Sequence, residues 1–130
     1  GGKEMTLREI TIAANEFTDE RYSDNQVVEY ANEGIAYING KFKVALPLIV
    51  NGEDFYEGFT SSFWTRNLLV PYSAYGIKMN DGPIEEAMIY YARFEEAIEM
   101  LGKSLHEAVN EDFLGANSVQ IASIIPRRRW

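Results

Sequence analysis

Five glutamates on one predicted helix, Glu85, Glu86, Glu95, Glu96 and Glu99, are the residues of this chain whose type could hold a metal. Carboxylates projecting from facing helices can bind a pair of irons, but that chemistry adds Glu-x-x-His pairs. The single histidine is His106, and the residue three before it is Lys103. Glu95 and Glu99 fit a solvated face better, with Glu99 one turn from Lys103 and spaced for an ion pair. His106 could act as general base for a serine, yet no Gly-x-Ser-x-Gly elbow exposes and orients a nucleophile. The glycines form no phosphate-cradling loop. With no cysteine, disulfides, thiolate zinc sites and cysteine nucleophiles are excluded. The residues therefore lead us to expect no catalysis, no metal and no cofactor.

The charge distribution suggests docking. All 20 Asp and Glu precede Arg127, whereas three of the 12 Lys and Arg are Arg127, Arg128 and Arg129, followed by Trp130. Just before them lies an apolar stretch from Val119 to Ile125. An acidic body with a basic, aromatic, sticky end is the composition of a piece that binds another protein. Ile121, Ile124 and Ile125 would anchor it, and Trp130 and the arginines would meet aromatic or acidic surface. A formal net charge of −8 argues against wrapping a duplex, because phosphate binding needs clustered cations. No specific nucleic-acid binding is expected. The apolar run Val44 to Val50 is broken by Pro47 and falls far short of a bilayer crossing, so no membrane partner is expected either. Gly1 and Gly2 read as a cloning scar, with Met5 the natural start and no signal peptide ahead of it. The lack of cysteine is compatible with a reducing cytoplasm.

The elements that would position these groups are helices. Thr6 and Glu9 make a T-x-x-E capping box that opens a helix over about Leu7 to Glu16, with Leu7, Ile10, Ala14 and Phe17 on its apolar stripe. Ser23 with Gln26 opens a second over about Asp24 to Asn39, striped by Val27, Ala31, Ile35 and Ile38 and closed by Asn39-Gly40. Lys41 to Thr60 reads as a long loop, or a small hairpin turning at Asn51-Gly52. A third helix is predicted from Ser61 to about Met79, carrying Phe63, Trp64, Leu68, Tyr72 and Tyr75, with Pro71 imposing a kink. The fourth runs from Pro83 to Val109. Its residues Ala87, Tyr91, Phe94, Ile98, Leu101, Leu105 and Ala108 form a seam stepping by four and three. Gly102 weakens that helix and could end it early.

Together these give an all-α, elongated four-helix bundle with a long loop or small hairpin between helices two and three and an extended C-terminal tail. Residues 1–5 read as a disordered N-terminus, 6–112 as the helical domain and 113–130 as the docking tail. The aromatic residues of helices three and four pack as core. Tyr90 and Tyr91 are adjacent and cannot both face one narrow stripe, which makes Tyr90 the better candidate for a subunit contact.

The run Phe63-Trp64-x-x-x-Leu68-Leu69-Val70-Pro71-Tyr72-x-x-Tyr75-Gly76-Ile77-Lys78 resembles small head–tail connector (adaptor, or neck) proteins of tailed bacteriophages and prophages. The opening Met5-Thr6-Leu7-Arg8-Glu9-Ile10 and Tyr30-x-x-x-Gly34-Ile35-Ala36-Tyr37-Ile38-Asn39 fit the same likeness, which spans roughly Met5 to Val109. Such proteins are structural, assembling as a ring beneath the portal of the filled capsid. The resemblance implies a homo-oligomer in the virion neck, assembled in the bacterial cytoplasm; a modest interface would keep the subunits monomeric in dilute solution until the portal templates the ring. Its partners would be the portal protein and neighbouring neck or tail-completion proteins, and Val119 to Trp130 would contact the portal or an adjacent subunit. The rival expectation is a helical adaptor or regulatory module that binds one protein partner through an aromatic groove.

Overall fold

A computed structural model describes residues 5–50, 52, 53, 55–59 and 61–112, side chains of 106–112 excepted. It is all-α, with no strand among those residues. The elements are α1 (Leu7–Thr18), α2 (Asp24–Phe42), a short α3 (Ser62–Trp64), a π-helical turn (Thr65–Leu69), α4 (Val70–Asp81) and α5 (Ile84–Asp112). Helical dihedrals at Trp64, Thr65, Leu69 and Val70 make α3, the π turn and α4 one continuous rod.

Both capping boxes form. Thr6 Oγ1 accepts from the Glu9 amide at 3.2 Å, while Glu9 Oε1 accepts from the Thr6 amide at 2.9 Å. Ser23 and Gln26 repeat the exchange at 3.3 and 2.9 Å. These bonds start α1 and α2 by satisfying donors that the first turn would otherwise leave free. At their other ends, Asp19 and Lys43 adopt left-handed conformations (φ 57° and 54°) and return their amides to the carbonyls of Asn15 and Asn39. Asn39-Gly40 therefore does not close α2. The helix runs on to Phe42, and Asn39 turns its side chain to a different task.

Pro71 lacks an N–H for the carbonyl of Asn67, and its ring would crowd that oxygen in a regular helix. A π turn lies directly upstream, the wider geometry by which a helix absorbs a local misfit. The expected disturbance at Pro71 thus takes the form of a π turn. It also changes which residues face inward: Leu68, Leu69 and Val70 are all fully buried, whereas Phe63 is exposed.

α4 occupies the middle, packing on α1, α2 and α5. Its crossing with α2 depends on two interlocked Tyr-x-x-x-Gly units, Tyr30 to Gly34 and Tyr72 to Gly76. A Cβ at Gly34 would lie 3.1 Å from the Tyr72 ring, and a Cβ at Gly76 would lie 2.4 Å from the Tyr30 ring. Each ring fills the space the other helix leaves by having glycine, which fixes the pair antiparallel. Around this crossing, Val27, Ala31, Ile35, Ile38, Ile77, Phe94 and Leu101 are fully buried. Burying one large side chain is worth roughly 1.5–3 kcal/mol, against about 0.5–2 for a helix cap, so the stripe outweighs the caps.

Segment 44–61 forms no hairpin among the described residues. Phe55 instead makes an isolated antiparallel bridge with Thr6, and Tyr56 donates its amide to the Met5 carbonyl at 2.8 Å. Gly102 does not interrupt α5, which continues through it. Glu99 and Lys103 make no ion pair; those among the described residues are Arg8–Asp24, Lys78–Glu20 and Lys78–Glu86.

Candidate interaction surfaces

Two asparagine side chains hold the loop against α2. Asn39 accepts from the Leu46 amide (2.8 Å) and donates to the Leu46 carbonyl (3.1 Å). Asn32 does the same for Ile49, at 2.8 and 3.2 Å. Seven helical residues rise about 10.5 Å, and three extended residues span about 10 Å, so the two clamps match in spacing and the loop runs antiparallel to the helix. A carboxamide is the right group, because it presents one donor and one acceptor just as a peptide does. Asn15 clamps Tyr22 in the same way, at 2.9 Å in both directions.

The clamps decide which side chains face out. Val44, Leu46 and Ile49 point inward, while Leu48 (52% exposed) and Val50 (95% exposed) point to solvent. Phe55, held by its bridge to Thr6, is 51% exposed and joins them beside Leu7 and Pro47 around a shallow cleft of about 160 Å³. The Tyr56 hydroxyl donates to the Pro47 carbonyl at 2.8 Å, and burial raises its pKa. The result is an apolar face on a backbone tied down at several points.

A second, smaller apolar face lies on α5, where Ile84 and Met88, one turn apart, are each about half exposed, and Ile89 is half exposed on the other flank of the helix. Beside it α5 is anchored to α1. The Tyr90 ring stacks on Phe17 at 6.0 Å, its hydroxyl donates to the Phe17 carbonyl, and the Arg93 guanidinium sits 5.8 Å from the centres of both rings. Contrary to the sequence expectation, Tyr90 is 8% exposed and engaged within its own chain. Tyr91 also packs inward, against Tyr75. Both adjacent tyrosines find partners because α5 meets α4 on one side and the end of α1 on the other.

Between α2 and α5 runs a groove of about 510 Å³, floored by Tyr37, Phe42 and Ile98 and rimmed by Glu95, Glu96, Glu99 and Lys41. Nearby, Tyr37, Tyr72, Tyr75, Tyr91 and Phe94 form a continuous ring cluster with centroids 4.8–6.0 Å apart. Burial first, then the negative charge of Glu33, pushes the Tyr72 phenol up to about 12.

Among the described residues the most buried charge is Lys78, whose ammonium meets Glu20 at 3.0 Å and Glu86 at 3.4 Å. The hydrogen bond that it donates to the Glu20 carboxylate raises its pKa, so it stays protonated at neutral pH. It ties the α1–α2 link to α4 and α5. Among the described residues, no group of three or more His, Asp or Glu is placed to hold a metal. No described helix is long and apolar enough to cross a membrane. The tail candidates Val119, Ile121, Ile124, Ile125, Arg127, Arg128, Arg129 and Trp130, and the His106 side chain, lie outside the described residues. No protein-family model, curated protein or solved structure matches the chain.

Proposed function

We propose that this chain is a structural subunit of a phage head–tail connector: an elongated four-helix bundle that works by covering apolar surface between polypeptides. The observation that carries the reading is the pair of separate apolar faces. Phe55 is bridged to Thr6, just before α1, whereas Met88 lies two residues before the Tyr90 that bonds to Phe17, near its end. The two lie about 16 Å of helix apart. Two unlike patches on one subunit are what a head-to-tail ring requires, since a twofold dimer needs one patch matched to itself. The partners are the portal protein and neighbouring neck proteins, and Val119 to Trp130 is the segment that reaches the portal. The groove between α2 and α5 favours a second reading, a one-partner helical adaptor, because it would accept a single segment.

Mixing the purified full-length protein with candidate portal and imaging by electron microscopy separates the two. The connector reading expects a monomer alone and a ring on the portal. Val50→Asp with Phe55→Asp should abolish ring formation while leaving the circular dichroism unchanged. Removing Ser118 to Trp130 should leave helicity and melting temperature nearly unchanged but abolish portal binding. A one-to-one complex that never closes would favour the adaptor instead.

A further inference from the structure

We propose that the groove between α2 and α5 is a docking site for a short basic, apolar segment, and that its occupant in the free subunit is residues 119–130 of the same chain. Three features of the groove select such a ligand. Its floor is apolar and aromatic, with Phe42 and Ile98 at the base. Its rim carries Glu95, Glu96 and Glu99 against the single cation Lys41. None of those three carboxylates is in an ion pair among the described residues. Residues 119–130 match on both counts, supplying Val119, Ile121, Ile124 and Ile125 for the floor and Arg127, Arg128 and Arg129 for the rim.

The connection is long enough. From Gly102, at the groove, α5 runs ten residues to Asp112, about 15 Å of helix. The seven residues 113–119 can span about 23 Å when extended, so the chain can return to the groove. Tethering sets the choice between a molecule's own groove and a neighbour's. A short linker gives an effective concentration on the order of millimolar, far above the micromolar concentration of a second copy. The inference rests on the connector reading only for its consequence: a parked tail is released when a partner outcompetes the groove.

The absence of native cysteine makes a clean test in the full-length protein. Cysteines replace Ala92, exposed beside the groove, and Ser123, and a flexible bismaleimide is added at low micromolar protein. The control moves the first cysteine to Arg8, on α1. The expected product is a crosslinked species of monomer mass, in high yield for Ala92→Cys and low yield for Arg8→Cys. Adding Glu95→Lys, Glu96→Lys and Glu99→Lys should cut that yield roughly fivefold or more, with circular dichroism unchanged. A product of dimer mass, a yield equal to the Arg8→Cys control, or indifference to the charge reversal would each overturn the inference. Portal is absent throughout, so a failure here is separate from a failure of the connector reading.

Discussion

Glycines 34 and 76 do more for this fold than their size suggests, because each is the socket for a tyrosine of the opposite helix. Gly76→Ala places a carbon 2.4 Å from the Tyr30 ring, too close to keep, and something must shift. We expect it to destabilise the protein by about 1–3 kcal/mol in urea titration, the usual cost of overpacking. Gly40 is the matched contrast: it lies within α2, and a Cβ there meets nothing within 4 Å. Gly40→Ala should stabilise by about 0.5–1 kcal/mol, since only backbone freedom is removed. Equal effects at the two positions would show that the tyrosine sockets do not set the crossing. The sequence displays both Tyr-x-x-x-Gly units, but their mutual engagement is invisible in it, because spacing within one helix says nothing about register against another. Tyr90 illustrates the same gap. Its face on α5 is legible, whereas its bond to Phe17 depends on where α1 ends in space.

At the level of elements, the starts of α1 and α2 could be read from capping residues because that chemistry is local. So could the α2 stripe Val27, Ala31, Ile35 and Ile38, every member of which is fully buried. Loop 44–61 was not legible beyond its length. Its conformation is set by Asn32 and Asn39, residues that read as ordinary helix positions or as a stop signal. Asn39→Ala leaves the Leu46 amide and carbonyl without partners, a local penalty of about 1–3 kcal/mol. Hydrogen exchange at the Leu46 amide should therefore accelerate roughly tenfold or more, while the melting temperature barely moves. Unchanged exchange at Leu46 would mean that contacts other than the clamp hold the segment. Pro71 was readable as a disturbance, yet whether a helix kinks or widens into a π turn is decided by the packing of Leu68, Leu69 and Val70, which propensity does not encode.

Taken as a whole, the molecule should lose stability in alkali. Burial raises the phenol pKa of Tyr22, Tyr30, Tyr56, Tyr72, Tyr90 and Tyr91. A group whose pKa is higher folded than unfolded adds stability below its unfolded value and loses it as pH climbs through the folded one. For Tyr72 that window opens at its ordinary value of 10.0 and extends to about 12. The melting temperature should therefore fall steeply across this range, together with rising tyrosinate absorbance, and Tyr72→Phe should flatten part of the slope. A flat profile would mean the rings are wetter than the structure places them. The acidic body and the basic end were plain from composition, whereas the two apolar faces appear only once the chain is folded. Met5 is 3% exposed and its carbonyl is held by Tyr56, beside Phe55, so the backbone at Met5 sits next to one of those faces. An affinity handle or fluorescent fusion placed there would shade that surface, and a negative binding assay with it would report on the label rather than the protein.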